Sequence, residues 1–256
     1  MPKSLSRSIW EVAGLVILLE ILLFTIGYAL ADFKLTDAGF IAAQEIIFFI
    51  IFWVINALIT KVKVSLVPTV PWRQIFILAL PIYLVWIIGI VALVRGAKNL
   101  PLAIAAGIGA GIFEEFFYRG IILGILVKIF RNQSSKAHRI WYPVLITSIL
   151  FGLGHMGNAM SQSLPNTLLQ VLQAFSLGII FAAIYLRSGS LFIPMLLHGS
   201  WDFSLTAING GISSTNTVTF MAVVSGIIMD LILFLIGAYF LRSKKLQQIE
   251  LHNFNK

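Results

Sequence analysis

Nine ionisable side chains lie inside long apolar runs of this 256-residue chain. They are Glu20, Glu45, Glu114, Glu115, Arg119, His155, His198, Asp202 and Asp230. An ionisable group in such a run is costly, and in proteins it usually faces a partner or a cavity. Each of the nine is therefore a functional candidate, and three groups among them have a spacing that indicates chemistry.

The first group consists of Glu114, Glu115 and Arg119. Glu115 and Arg119 are four residues apart, so on an α-helix they share one face and can form an ion pair. Glu114 points about 100° away from that face and is left free for another partner. Two adjacent acids exceed what one arginine neutralises, so the group predicts one supporting carboxylate and one working carboxylate.

The second and third groups each contain a histidine. Phe151 precedes His155 by four residues, Asn158 follows it, and His198 precedes Asp202 by four residues. On a helix, His198 and Asp202 share a face, where they could bind a metal, orient one another or stabilise an oxyanion. One carboxylate base, two imidazoles and a further carboxyl group suit activation of water better than covalent catalysis. The chain has no Cys, which excludes a thiolate nucleophile and thiolate metal ligands.

The composition indicates which elements must position these groups. Hydrophobic residues make up 59% of the chain and charged residues only 11%, against about 25% charged residues in soluble proteins. So few charges cannot cover the surface of a soluble fold of this size. We therefore predict an all-α polytopic membrane helix bundle, a single domain over residues 1–256 with its motif-bearing core at about 101–206. The eight predicted spans are 9–31, 40–60, 74–94, 101–127, 142–157, 164–186, 190–206 and 219–241.

The basic residues predict the orientation of this bundle. Alternate connections and the two termini hold fourteen of the 18 Lys and Arg, whereas the intervening loops hold only Lys34, Arg95 and Lys98. By the positive-inside rule, both termini lie in the cytoplasm. The net charge of +8 is then a topology signal, and no nucleic-acid partner is expected. We expect a multi-pass protein in contact with membrane lipid, in a prokaryotic plasma membrane; the sequence predicts no oligomeric state.

In this order, and on successive apolar segments, the motifs resemble those of the CAAX prenyl endopeptidase and bacteriocin-processing family of glutamate intramembrane proteases. The resemblance covers Glu114 to Arg119, Phe151 to His155 and His198 to Asp202. It implies a metal-independent endopeptidase without a cofactor, acting on a peptide or lipidated protein substrate at the membrane. A prenylated substrate is not expected in a prokaryote.

The resemblance also implies a role for each candidate residue. Glu114 and His155 would activate water, and His198 with Asp202 would form the oxyanion site. The supporting residues would be Glu115 and Arg119, and we also expect a supporting role for Asn158, which follows His155. The oxyanion residue is Asn in the best-understood CAAX-type members, so Asp202 departs from the pattern. Because an ionised carboxylate would repel an oxyanion, Asp202 must either be protonated or orient His198.

The same residues are compatible with two other functions. One is a zinc-dependent hydrolase with His155, His198 and Glu114 as ligands, although the chain has no His-Glu-x-x-His helix. The other is a non-enzymatic membrane protein, such as a bacteriocin-immunity protein or a proton-relay protein, whose buried acids and histidines form a relay. Sensitivity to a chelator would favour the first, and the absence of any peptide cleavage would favour the second.

Overall fold

A computed structural model describes residues 5–212, 218–249 and 251 of the chain. These residues form helices and connections, with no β-strand among them. The helices are α1 (Leu5–Ala31), α2 (Asp37–Ile55), α3 (Trp72–Leu78), α4 (Leu80–Val94), α5 (Leu100–Gly109), α6 (Leu123–Phe130), α7 (Lys136–Gly154), α8 (Leu164–Ser188), α9 (Phe192–Asn209), α10 (Phe220–Phe240) and α11 (Ser243–Leu246). The all-α prediction is thereby confirmed for the described residues.

Three of these helices continue in tighter or wider helical turns. A π-helical turn, Asn56–Thr60, extends α2, and a 3₁₀ turn, His155–Met160, extends α7. Two π-helical segments, Ala110–Glu114 and Phe116–Ile122, join α5 to α6 in one long rod. Local side chains begin several helices by accepting backbone N–H groups, as Thr36 does for Gly39 at the start of α2.

Six helical stretches are long and apolar enough to cross a membrane, which makes this a multi-pass membrane protein. They are Arg7–Ala31, Asp37–Thr60, Leu100–Phe130, Lys136–Met160, Leu164–Ser188 and Phe220–Phe240. The pair α3 and α4, bent by 53°, passes the same test together. Each of these seven coincides with a predicted span. The eighth predicted span, 190–206, corresponds to α9, whose polar residues keep it below that apolar threshold, so the count of eight spans stays a prediction.

The most buried helix is α8. Its C-terminal half, from Leu177 to Ser188, is buried throughout, and it packs against α7, α9 and α10. The helix α9 is in turn enclosed by α4, α5 and α8. In contrast, α1, α2 and α10 expose large apolar side chains such as Phe24, Ile50 and Ile228. An apolar outer surface around a packed centre is the arrangement that a lipid environment stabilises.

The connection between α2 and α3 is held against the turn between α8 and α9. The N–H of Leu191 donates to the carbonyl of Ser65, and the N–H of Thr69 donates to the carbonyl of Ser188, each at 2.8 Å. The Ser190 hydroxyl also donates to the carbonyl of Leu66, at 2.6 Å. These bonds fix the end of α9 from which His198 and Asp202 follow.

Candidate active site

The Glu-Glu motif lies in wide π-helical turns. Glu114 ends the first π-helical segment, and Glu115 lies between the two. The prediction assumed an α-helix here and was wrong, because the i→i+5 bonds of a π-helix change the angle between successive side chains. π turns inside α-helices are frequent at functional sites. The hydroxyl of Thr147 donates to the carbonyl of Tyr118, at 3.1 Å, within this irregular stretch.

A seam of glycines brings this rod close to α9. A Cβ atom on Gly107 would lie 2.6 Å from the carbonyl oxygen of Gly199, and one on Gly111 would lie 2.7 Å from the carbonyl oxygen of Met195. Any larger residue at either position would force the two backbones apart. Small residues four apart let membrane helices approach in this way. Since Glu115 follows Gly111 and His198 precedes Gly199, the same contact brings these two side chains together.

Glu115 is the buried centre of the site. Its Oε1 accepts a hydrogen bond from Arg119 Nη1, at 2.8 Å, and another from His198 Nδ1, at 2.9 Å. The side chains of Glu115 and Arg119 are both fully buried. The predicted ion pair forms, and Glu115 also orients the imidazole of His198 through its Nδ1. Sequence spacing alone had not linked Glu115 to His198.

The opposite nitrogen of His198 faces two further carboxyl groups. His198 Nε2 lies 3.9 Å from Glu114 Oε2 and 3.8 Å from Asp202 Oδ2. Their side chains keep 25% and 33% of their exposure, against 4% for His198, so both open onto accessible space. Glu114 Oε2 is itself buried and has no hydrogen-bond partner within the described part of the chain. The arrangement leaves an unpaired acceptor oxygen beside a fixed imidazole.

His155 is connected to His198 and Arg119 by the ring of Phe151. The Nδ1 of His155 donates to the carbonyl of Phe151, at 2.9 Å, which leaves its Nε2 free to accept. The Phe151 ring makes T-shaped contacts with both histidines. The ring centroids are 5.0 Å apart for His155 and 5.5 Å apart for His198. Arg119 Cζ lies 4.1 Å from the centre of the same ring, a cation–π contact. Phe151 is therefore the packing surface common to Arg119 and both histidines.

Two further residues at the site, Phe181 and Glu45, belong to none of the three sequence motifs. The Phe181 ring on α8 stacks on His198 with a centroid separation of 4.8 Å and lies 5.0 Å from Arg119 Cζ. The carboxyl group of Glu45, on α2, interacts electrostatically with Glu114, His198 and Asp202. Its side chain crosses Gly109, where an added Cβ would lie 2.5 Å from Glu45 Cγ. The only sequence signal for Glu45 was an acid within an apolar run.

The remaining buried candidates lie to the side of this cluster. Asn158 donates to Gln170 on α8, at 2.9 Å, so its contact holds the turn after α7 rather than His198 or Glu115. Glu20 approaches the site from α1: its Oε1 lies 3.9 Å from the point that a Cβ on Gly154 would occupy. Asp230 is buried on α10. Within the described residues, no three His, Asp or Glu side chains are arranged to hold a metal ion.

Residues 96–204 match the family model described as "Type II CAAX prenyl endopeptidase Rce1-like". The matched stretch contains all four candidate catalytic residues, so the resemblance read from the motifs is confirmed over this part of the chain and indicates a membrane protease. The chain is also 34% identical over 89 residues to a protein of Escherichia coli described as "Uncharacterized 24.3 kDa protein". That match covers about a third of each protein, 35% in both cases. No solved structure matches the chain.

Proposed function

We propose that residues 96–204, the stretch that matches the endopeptidase family, form the catalytic core of an intramembrane endopeptidase. Its substrate would be a peptide or a lipidated protein held at the membrane, and its location the plasma membrane of a prokaryote. The observation that carries the proposal is the pair of carboxyl groups, Glu114 and Asp202, on either side of His198 Nε2. The buried pair of Arg119 and Glu115 orients that imidazole. Glu114 Oε2 has no hydrogen-bond partner among the described residues.

In the proposed reaction, Glu114 is the general base. It takes a proton from a water molecule, and the resulting hydroxide forms a bond to the carbonyl carbon of the scissile peptide. His155 holds that water through Nε2, because its Nδ1–H already donates to Phe151. The C–N bond then breaks, and Glu114 returns the proton to the leaving amine. The scheme consumes one water and needs no cofactor.

His198 supplies the charge that stabilises the tetrahedral intermediate. Its Nδ1–H donates to Glu115, so only a protonated imidazole offers Nε2–H to an oxyanion. The Glu115 carboxylate, whose Oε1 accepts from Arg119 as well as from His198, supports such a positive charge. A preorganised donor of this kind contributes about a hundredfold or more to the rate. Asp202 either donates a hydrogen bond to the same oxyanion as a neutral acid, or orients the His198 ring.

The test is cleavage of a quenched fluorescent peptide library by the purified full chain in lipid, with and without a chelator. Glu114→Gln keeps the shape of the side chain but removes the base, so cleavage falls by about a hundredfold or more. Asp32→Asn is the matched control, because Asp32 is an exposed acid in the turn after α1. Its cleavage rate equals that of the unchanged chain.

Three outcomes contradict the proposal. Loss of cleavage on chelation, restored by zinc, assigns the same residues to a metal site. Full cleavage by Glu114→Gln removes the base from the mechanism. If correctly folded protein cuts no member of a broad library, a binding or immunity function replaces the enzymatic one.

A further inference from the structure

A cavity of about 470 Å³ lies where α8 and α10 end and α3 begins. None of the candidate catalytic residues lines it. Its wall carries four basic side chains from three different parts of the chain, Arg73, Arg187, Arg242 and Lys245. No acidic residue is among the described residues that line it. A cavity with four cations and no counter-ion within it attracts an anion.

Arg187 is the least exposed of the four. It keeps only 5% of its exposure, and its Nε is buried without a hydrogen-bond acceptor in the described parts of the chain. A buried cation without a hydrogen-bonded partner is costly. The like charge of Arg242 acts on it and raises the cost further. The centroid of the Phe240 ring lies 5.9 Å from Arg187 Cζ, at the outer limit of a cation–π contact.

The other cations are held in place around it. Arg242 lies with its Cζ 3.8 Å from the centre of the Tyr239 ring and donates to the carbonyl of the same residue, at 2.9 Å. Lys245 donates to the side chain of Gln248, at 3.2 Å. Arg73 is exposed in the first turn of α3. Each keeps N–H groups free for an additional acceptor, and two or more guanidinium forks suit the oxygens of a phosphate group.

We propose that this cavity binds the phosphate group of an anionic phospholipid headgroup. A soluble phosphate would meet the same donors, but two observations favour lipid. The cavity lies at the ends of two membrane-crossing helices, α8 and α10. Its rim carries the exposed side chains of Ile77 and Tyr239, which suit the boundary between acyl chains and headgroups. The fold would thus bind lipid at a site separate from the proposed catalytic centre.

The experiment measures which lipids stay bound to the full chain. The protein is reconstituted with equal amounts of phosphatidylglycerol and phosphatidylcholine, extracted in mild detergent and examined by native mass spectrometry. Phosphatidylglycerol is retained in preference. Arg73→Gln and Arg242→Gln each lower its retention about fivefold, the effect of one surface cation on anionic lipid. Arg131→Gln removes an exposed charge outside the cavity and leaves retention unchanged.

Arg187→Gln should lose the bound lipid almost completely, and the variants at the less buried Arg73 and Arg242 keep the test valid if that variant does not fold. Equal retention of both lipids overturns the proposal, as does an equal loss in Arg131→Gln. Inorganic phosphate supplies the second arm. If phosphate raises the midpoint of thermal unfolding through Arg73 and Arg242 while phosphatidylglycerol is not retained, the lipid assignment is overturned in favour of a soluble ligand. Cleavage of peptide is measured separately, so this outcome is independent of the proposed catalysis.

Discussion

At the scale of single residues, Glu115 has the most connected position in the site. One of its oxygens accepts from both Arg119 and His198, and no part of its side chain is exposed. The neighbouring Glu114 has the opposite properties, since it is partly exposed and one of its oxygens is unpartnered. Two chemically identical residues, adjacent in the chain, thus have a structural and a proposed catalytic role because of what surrounds them.

We expect Glu115→Gln to destabilise the fold by about 3 kcal/mol, because it leaves the buried Arg119 charge without its counter-ion. The measurement is the thermal unfolding midpoint in detergent, with Asp32→Asn as the control. The double variant Glu115→Gln, Arg119→Gln should lose less than the sum of the two single variants, since each alone strands a charge. An unfolding midpoint for Glu115→Gln equal to that of the control would contradict the assigned ion pair.

Variants of Asp202 distinguish two roles for its carboxyl group. If it donates to the oxyanion, Asp202→Asn keeps an N–H donor at the same place and retains cleavage within about fivefold, while Asp202→Leu loses about a hundredfold. This is the result we expect, because the Asp202 side chain is partly exposed beside His198 Nε2. The rates are measured on one cleaved library peptide. Equal losses in both variants would instead show that Asp202 acts through its charge on His198.

At the scale of elements, the site depends on how closely two backbones approach. The glycine seam between the α5–α6 rod and α9 sets the position of Glu115 relative to His198. A methyl group at Gly111 would meet a backbone carbonyl of α9. A backbone atom cannot rotate away as a side chain does. The position of the site therefore depends on residues that carry no functional group.

Gly111→Ala should push α9 outward and lengthen the Glu115–His198 bond, and cleavage should fall by about a hundredfold, as for loss of one oxyanion donor. Gly14→Ala is the matched control: Gly14 lies in a helix, and nothing lies within 4 Å of its added Cβ. The readout is the rate of peptide cleavage, with the unfolding midpoint of both variants beside it. Unchanged cleavage in Gly111→Ala would show that the seam does not position the site.

Helix positions and the Glu115–Arg119 pair could be predicted from the sequence because both depend on neighbours along the chain. Apolar runs set the first, and a spacing of four residues sets the second. The bond from Glu115 to His198 and the approach of Glu45 could not be predicted, because they depend on how separate helices pack. The π-helical turns could not be predicted either, because the motif spacing was interpreted on a regular α-helix.

At the scale of the whole molecule, one end of the bundle gathers its basic residues. Arg73, Arg187 and Arg242 meet in one cavity, and Lys136 donates to the carbonyl of Gln247, at 2.9 Å. The connections predicted to be cytoplasmic therefore lie together. The predicted orientation, with the C-terminus inside the cell, requires this grouping.

The orientation can be tested because the chain has no Cys, so any introduced thiol is labelled alone. A membrane-impermeant maleimide applied to intact cells should label Ser161→Cys, in the predicted outer connection between α7 and α8. It should label Ser134→Cys and Ser243→Cys only after permeabilisation. All three positions are exposed. Labelling of Ser243→Cys in intact cells would reverse the proposed topology.

The π-helical stretch also constrains how such a chain can change in length. A π turn takes in one more residue than an α turn while it turns the chain through nearly the same angle. Deletion of one residue between Ala110 and Phe113 would therefore restore a regular turn and leave Glu115 and Arg119 facing His198. The same deletion from the regular α-helix before this stretch would rotate everything beyond it by about 100°, and the motif would keep its letters but lose its geometry. A related chain can thus lose a residue inside the π-helical stretch and keep its site, whereas a gap in the neighbouring α-helix removes it.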